Sequence, residues 1–382
     1  MNFKMGNRSE QRGVFRKEWS GMTGKTEILA KKLPLKTEGG KVDAFLITSP
    51  VNRRYLTGFP SSAGMVLVTK EEAYFLTDFR YAEAAHQKIK NCQVLEYERA
   101  FVTLKILLEK HRIRRIAIEQ KEMSLAEYSR YQSYFSDYAF ENGPELDGQL
   151  GEMRAVKSQE ELHQLRQAQE ITDAAYQHIL QRIAPGRTER EIALDLEFFM
   201  RSSGAEAVAF DLIVVSGAKS SMPHGVPDEK KVEKGDFVTM DTGAVVGGMH
   251  ADMTRTVAVG EASVKQREIY DIVLRAQLAA IAAVKDGVLC SEVDRAARDV
   301  IVHAGYGSYF GHSTGHSVGF EIHEDPVFSP ASHDVAKTGM VITVEPGIYL
   351  PGQFGVRIED MVLVTPDGCE DLTHSPKDLM IL

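Results

Sequence analysis

An internal repeat constrains the fold of this chain more than any other feature of its sequence. Residues 235–243 (GDFVTMDTG) and residues 339–347 (GMVITVEPG) each alternate side-chain character and end in an acid followed by one residue and a glycine. Such alternation is typical of a β-strand with one buried face. A repeat of this size predicts two similar α+β halves packed about a pseudo-twofold axis, with the two acid-bearing strands meeting at the centre.

The helical segments before the two strands repeat as well. Glycine and glutamate positions recur at a constant offset of 101 residues, in the pairs Gly186 and Gly287, Glu191 and Glu292, and Gly204 and Gly305. Capping boxes predict that helices begin after Ser158 and after Thr188. Each half is therefore expected to place helices ahead of its acid-bearing strand.

Each half also carries a second acid downstream of its strand. Asp252 follows Asp241 after a glycine-rich turn, and Glu359 follows Glu345. Carboxylates held close together repel each other unless a cation lies between them, and a hard divalent metal is the usual cation. Alternatively, Asp241 ends a strand and Asp252 is a solvated hairpin acid. Because the arrangement occurs twice, the sequence favours a metal site.

Three histidines lie between the second pair of helices and the Glu345 strand. They are His312, His316 and His323, within GHSTGHSVGFEIHE. A lone histidine is more often structural than a ligand, but three among glycines and small residues favour a binding role, because small neighbours let the backbone approach a ligand. One imidazole is expected to complete the carboxylate site.

Length and composition narrow the class of protein. A chain of 382 residues is expected to form two domains. Its net charge of −9 argues against general nucleic-acid binding. No apolar run approaches the roughly 20 residues that span a bilayer, so no membrane association is expected. Three scattered cysteines fit a cytoplasmic protein.

The sequence predicts three regions. Residues 1–36 form a basic extension, interpreted as disordered or as an artefact of upstream translation, with Met22 as an alternative start. Residues 37–150 alternate strand and helix patterns and predict an α/β domain that ends in a linker over residues 142–151. Residues 151–382 contain the repeat and form the predicted catalytic domain.

The acids and the histidine, in this order and spacing, resemble the five-ligand centre of the pita-bread metallopeptidases. That family includes methionine aminopeptidase, aminopeptidase P and prolidase, the Xaa-Pro dipeptidase. The matching residues are Asp241, Asp252, His316, Glu345 and Glu359, with supporting motifs PHG at residues 223–225, GHSVG at 315–319 and VRIED at 356–360. The resemblance covers roughly residues 154–376. It implies an α+β pita-bread (creatinase/aminopeptidase-like) catalytic domain preceded by a smaller α/β creatinase-type domain.

The resemblance also implies a cofactor and a mechanism. Two divalent metal ions per subunit are expected, with Mn²⁺ favoured and Co²⁺, Zn²⁺ or Fe²⁺ possible. Asp241 would chelate one metal, Asp252 and Glu359 would bridge the pair, and His316 and Glu345 would bind the other. A hydroxide held by both metals would attack the peptide bond before proline, with Glu345 as the general base.

Other site residues follow from the same resemblance. His224 and His323 are expected to hold the substrate carbonyl and the tetrahedral intermediate, and His312 is expected to line the proline subsite. For Arg357 two interpretations stay open: it stabilises the carboxylates or reaches substrate, or it is a structural partner of Asp360. The expected partners are short proline-containing peptides and further copies of the chain, in a homodimer or homotetramer.

The subclass is less constrained. Some dipeptide-specific relatives carry an arginine directly after a His-Glu-x-Pro stretch, where this chain has Val327. That departure leaves room for longer peptides, although dipeptides stay possible. The alternatives are a methionine aminopeptidase-like exopeptidase, a metal-free creatinase-like hydrolase and an inactive scaffold that binds protein or RNA. Retention of all five ligand positions argues against the last two.

Overall fold

A computed structural model describes residues 22–382, and the chain divides into two compact units between Leu150 and Gly151. The prediction of disorder up to residue 36 is wrong for the described part of the extension. Gly24–Ala30 forms helix α1, because Leu29 and Ala30 bury their side chains despite the basic residues around them. The earlier residues of the extension lie outside the described range.

The N-terminal unit is built around a mixed sheet. The helices after α1 are α2 (Pro50–Thr57), α3 (Phe79–Lys88), α4 (Ala100–Lys110), α5 (Leu125–Tyr134) and α6 (Glu145–Ala155). The strands are β1 (Lys36–Thr37), β2 (Gly40–Lys41), β3 (Ala44–Ile47), β4 (Met65–Thr69), β5 (Ala73–Thr77), β6 (Gln93–Glu96), β7 (Arg115–Ile118) and β8 (Ala139–Glu141). Six strands pair in the order β6-β5-β4-β3-β7-β8.

Two features of this unit follow from its apolar pattern. Every residue of β3, β4 and β5 is buried, as expected for a sheet covered on both faces. The linker predicted over residues 142–151 is wrong, because α6 occupies most of it. Leu146 and Leu150, four residues apart, are both buried, and the helix places them on one face.

The C-terminal unit contains four long helices and thirteen strands. The helices are α7 (Gln159–Leu180), α8 (Glu189–Ser202), α9 (Val264–Ala283) and α10 (Cys290–His303). The strands are β9 (Ala207–Val208), β10 (Ile213–Ser216), β11 (Phe237–Thr242), β12 (Ala244–Val246), β13 (Met249–His250), β14 (Met253–Ala258), β15 (Gly315–Ser317), β16 (Glu324–Phe328), β17 (Val341–Val344), β18 (Gly347–Leu350), β19 (Phe354–Arg357), β20 (Asp360–Val364) and β21 (Cys369–Asp371). Short 3₁₀ turns occupy Gly217–Ser221 and Gly307–Tyr309.

The predicted repeat is visible in this unit. In the first half α7 and α8 pack together and precede the antiparallel pair β11–β14, and in the second α9 and α10 precede the antiparallel pair β17–β20. Both predicted capping boxes are present, at the starts of α7 and α8. Asp252 directly precedes β14 and Glu359 directly precedes β20, so each half returns its second acid beside its first.

The helices supply the apolar cores behind the two acid hairpins. Ile179 of α7 shares a core cluster with Val257 of β14. Val273 of α9 shares another with Ile342 of β17. Within residues 22–382, no helix has both the length and the apolar character needed to cross a bilayer.

Candidate metal centre

Four of the five predicted ligands converge between the two hairpins. Donor atoms of Asp252, His316 and Glu359 all lie within 4.8 Å of one another. His316 Nε2 lies 3.6 Å from Asp252 Oδ2 and 3.4 Å from Glu345 Oε1. Residues up to 107 positions apart in sequence are thus brought within the reach of one or two cations.

Asp241, the fifth predicted ligand, borders the same cluster. Its Oδ2 accepts a hydrogen bond from Arg357 Nη2 at 2.6 Å. Its Oδ1 is buried and has no hydrogen-bond partner among the described residues. A buried carboxylate oxygen without a donor is expected to face a cation, because an unsatisfied buried acceptor is otherwise destabilising.

The pKa values of the carboxylates also indicate that this cluster binds cations. Burial, reinforced by the other carboxylates, raises the pKa values of Asp252 and Glu359 well above their usual range. Burial raises the pKa of Glu345 to about 7. These groups strongly favour protonation unless cations neutralise them. Four carboxylates and one imidazole are a donor set that divalent metals accept, so the residues fit the predicted cofactor.

Two threonines orient the ligands. Thr254 Oγ1 donates to Glu359 Oε2 at 2.6 Å and accepts from Arg357 Nε at 2.9 Å. Thr343 Oγ1 lies 3.3 Å from Glu345 Oε1 and accepts from the His316 backbone N–H at 3.0 Å. Such contacts fix the rotamers of metal ligands before a metal binds.

Of the two interpretations of Arg357, the structural pairing with Asp360 is wrong. Arg255 occupies that place, with its Nη2 2.7 Å from Asp360 Oδ1. Both side chains are almost fully buried, and they join the two halves. Arg357 is free of that role because its own guanidinium is directed to Asp241.

Arg357 also links the carboxylates to His312. Its Nη1 donates to the Tyr349 hydroxyl at 3.0 Å, and that hydroxyl lies 2.9 Å from His312 Nε2. Burial, with the Arg357 charge as the next cause, lowers the pKa of His312 to about 4. His312 is therefore neutral near pH 7 and part of a buried polar chain that ends at Asp241.

The remaining two histidines are exposed near the cluster. The His323 ring centroid lies 4.4 Å from that of His316, and burial together with the His316 charge lowers the pKa of His323. His224 is exposed on the loop between β10 and β11, and the carbonyl of its neighbour Pro223 lies 3.3 Å from Arg357 Nη1. A ligand approaching the carboxylates from solvent would meet both imidazoles.

Sequence reasoning missed three residues of this site: Thr254, Arg255 and Tyr349. Thr254 and Arg255 follow Asp252 within three positions, which was an available signal, since strand residues next to a ligand often support it. Tyr349 lies four positions after Glu345 in β18, and nothing in its spacing alone distinguishes it from a core tyrosine.

Two protein-family models match the chain. The model of Metallopeptidase family M24 matches residues 163–366, and the model of the Creatinase/Prolidase N-terminal domain matches residues 31–156. Among curated proteins, the uncharacterized peptidase YqhT of Bacillus subtilis is 45% identical over 342 residues, which cover 89% of this chain and 96% of YqhT. The match therefore extends across both units.

Two solved structures are similar over nearly the whole chain. A Xaa-Pro dipeptidase from Bacillus anthracis superposes with a TM-score of 0.89 at 42% identity, covering 93% of this chain and 99% of that one. An X-Pro aminopeptidase from Thermotoga maritima superposes with a TM-score of 0.85 at 39% identity, covering 89% and 98%. The chain is thus similar both to a protein named as a dipeptidase and to one named as an aminopeptidase.

Proposed function

Since the chain belongs to metallopeptidase family M24, with the pita-bread catalytic unit and creatinase-type N-terminal unit predicted from its sequence, we propose that it hydrolyses the Xaa-Pro bond at the N-terminus of short peptides. The single observation that carries the proposal is the cluster of Asp252, His316 and Glu359, with Glu345 against His316 and a buried Asp241 oxygen that has no hydrogen-bond partner among the described residues. The similarity to proteins named Xaa-Pro dipeptidase and X-Pro aminopeptidase supports the choice of bond.

In the proposed mechanism Glu345 moves the proton. Two divalent cations, when bound, would lower the pKa of a water and polarise the scissile carbonyl. Glu345 Oε1 is placed to accept the proton of that water, because it is a carboxylate oxygen of the ligand cluster, 3.4 Å from His316 Nε2. Thr343, 3.3 Å away, keeps this oxygen in position.

The histidines and the arginine complete the proposed site. His323 and His224, exposed beside the carboxylates, would hold the carbonyl oxygen as negative charge develops and pass a proton to the leaving nitrogen. Arg357 holds Asp241, which leaves the other Asp241 oxygen for a metal. His312, neutral and bonded to Tyr349, offers an uncharged wall suited to a pyrrolidine ring.

Specificity for proline follows from the chemistry of the bond. Proline has no amide N–H and restricts the conformation of the residue before it. A site that neither binds that N–H nor needs the preceding residue to change conformation therefore has an advantage over general peptidases. Val327 lies directly opposite His316 in the β15–β16 ladder, and opposite residues share a face of the sheet. An apolar side chain there leaves space for residues after proline, which favours cleavage of longer peptides.

A side-by-side hydrolysis assay tests the proposal. Purified protein with Mn²⁺ is offered Ala-Pro and Ala-Pro-Ala, and Glu345→Gln serves as the control. Cleavage of either peptide, lost in the variant, supports the proposal, and their ratio assigns the subclass. If both peptides stay intact with wild-type protein and Mn²⁺, the proposed function is wrong.

Further parts of the proposal concern the setting of the enzyme. We propose Mn²⁺ as the metal, since oxygen donors dominate the set. Residues 37–150 and 151–382 act as the two domains, in a homodimer or homotetramer. A cytoplasmic location fits the free thiols of Cys92, Cys290 and Cys369. Metal analysis, analytical ultracentrifugation and cell fractionation test these points in turn.

A further inference from the structure

A buried carboxylate holds both ends of the loop that carries His224. Glu189 is fully buried at the start of α8. Its Oε1 accepts from the Ser216 backbone N–H at 2.7 Å and from Ser216 Oγ at 2.9 Å. Its Oε2 accepts from Lys219 Nζ at 2.6 Å and from the Asp228 backbone N–H at 3.4 Å. We call residues 217–228 the His224 loop.

Further contacts close the ends of this loop. Lys219 Nζ, besides its bond to Glu189, lies 2.8 Å from Asp228 Oδ2, so one ammonium joins the beginning and the end of the loop. The first turn of α8 contributes as well, because the Arg190 backbone N–H donates to the Asp228 carbonyl at 3.1 Å. The loop is therefore a closed segment anchored on one helix start.

The middle of the His224 loop rests on the metal-centre strands. Gly355 N–H donates to Ser220 Oγ at 2.9 Å. A side chain at Gly355 would collide with the Ser220 carbonyl oxygen, 2.2 Å from where a Cβ would lie, so glycine is required for this contact. Arg357 Nη1 approaches the Pro223 carbonyl at 3.3 Å, one residue before His224. The arginine that holds Asp241 thus also contacts the loop.

The tip of the loop has few contacts of its own. Pro223 and His224 form a turn closed by the Gly225 N–H, which donates to the Met222 carbonyl at 3.1 Å, and the side chains of Met222, His224 and Val226 are all exposed. Gly225 between them is buried, and a Cβ there would lie 2.6 Å from Val215 Cγ1. The position of His224 is therefore set by the backbone contacts at the ends and in the middle of the loop, because its own side chain is exposed.

We propose that Glu189 is a positioning residue for the peptidase reaction, which clamps both ends of the His224 loop and so holds His224 over the metal centre. The inference rests on the proposed function, and it assigns a role to a residue more than thirty positions from His224 that touches neither metal ligand nor substrate. A carboxylate suits this role because its four lone-pair sites bind donors from both ends of the loop at once.

The Glu189→Gln variant tests the clamp. Glutamine keeps an oxygen for Ser216, but its amide nitrogen then faces the donors of Lys219 and Asp228, so the far end of the loop is released. We expect faster hydrogen exchange over residues 217–228, measured by mass spectrometry on the metal-loaded protein, with α7 unchanged. We expect kcat on Ala-Pro-Ala to fall by about ten- to a hundredfold, because misplacement by about 1 Å has that effect, with KM and Mn²⁺ content near wild type.

Glu191→Ala is the matched control. Glu191 lies two residues further along α8 and accepts the Thr188 N–H of the capping box, but it makes no contact with the loop in the described hydrogen bonds. This variant is expected to lower Tm while leaving kcat and loop exchange unchanged. A merely structural role for Glu189 predicts that the two variants behave alike.

Each outcome decides the proposal. Wild-type exchange over residues 217–228, wild-type kcat, or loss of bound Mn²⁺ in Glu189→Gln would overturn it. Should that variant fail to fold, Lys219→Gln removes only the bridge between Glu189 and Asp228 and is expected to change exchange and kcat in the same direction. If wild-type protein cleaves no Xaa-Pro peptide, the proposed function fails, and the exchange measurement still decides whether Glu189 clamps the loop.

Discussion

Each half of the catalytic unit places an acid at the end of its equivalent strand, β11 in the first half and β17 in the second. The two acids nevertheless have different surroundings. Asp241 in the first half receives the guanidinium of Arg357 at 2.6 Å. Its counterpart in the second half, Glu345, has a threonine and the His316 imidazole as neighbours, and burial raises its pKa to about 7.

This difference separates two chemical roles within one repeated motif. The acid with a permanent cationic partner suits a purely ligating role. The acid without such a partner has a proton affinity raised by its burial, which suits the proton acceptor of the proposed mechanism. The asymmetry comes from Arg357, which lies two residues before Glu359. The equivalent position in the first half, two residues before Asp252, is His250, whose side chain faces the Gly319 carbonyl.

The largest expected effect separates the two acids directly. Glu345→Gln is expected to lower kcat on a Xaa-Pro peptide by about 10²- to 10⁴-fold, the range for loss of a general base. Asp241→Asn should lose activity in proportion to lost metal. Steady-state kinetics with parallel Mn²⁺ analysis distinguishes them, and similar kcat and similar metal content in both variants would contradict the division of roles.

Removing the arginine is expected to have the next largest effect. Arg357→Met leaves Asp241 buried without its partner, and breaking a buried ion pair in this way destabilises a protein by about 3–5 kcal/mol. Chemical denaturation of the metal-free protein measures the loss. His250→Ala, at the counterpart position, is the control and should lose less, because its imidazole faces a backbone carbonyl and not a buried carboxylate.

The two threonines give a smaller contrast. Thr254→Val removes a donor to Glu359 and an acceptor for Arg357, so we expect a loss of about 1–3 kcal/mol, as for buried polar groups left unsatisfied. Thr343→Val affects a longer contact to Glu345 and should be milder. Denaturant midpoints of the two variants test this order, and a larger loss at Thr343 would show that the second half depends on its threonine more.

A final expected effect is a pH dependence of the metal-free protein. Glu345 titrates at about 7 in the folded state, above the ordinary glutamate value of about 4.3 in the unfolded chain. Between these pH values the folded state binds a proton that the unfolded state does not, so stability falls as pH rises through this window. Tm measured from pH 5 to 8 should decrease, and Mn²⁺ should raise Tm most at pH 8. A flat profile would contradict the assigned pKa.

Much of the site was predictable because its ligands follow the strand period and the repeat. The strands predicted within residues 235–243 and 339–347 are β11 and β17, and the capping boxes at Ser158 and Thr188 mark true helix starts. These are local properties, in which a few neighbouring residues determine the conformation. The pita-bread fold class was expected from the family resemblance that the acids and the histidine carry.

What sequence reasoning missed depends on contacts between distant segments. Arg357 and Asp241 are 116 residues apart, and Arg255 and Asp360 are 105 apart, so spacing carried no signal that either pair exists. Helix α6 was missed for a related reason. The Asn-Gly-Pro stretch directly before it is typical of a loop. The helix is stabilised by burial of Leu146 and Leu150, which is a tertiary effect.

The bond from Arg357 to Asp241 has a consequence for how the chain is made. Synthesis proceeds at about 5–20 residues per second, so Asp241 leaves the ribosome on the order of ten seconds before Arg357 exists. Until His316 is made, the nascent first half has two of the carboxylates but neither the arginine nor the histidine of the finished site. The metal centre is therefore completed only when β19 and Glu359 add to a unit whose first half has already emerged.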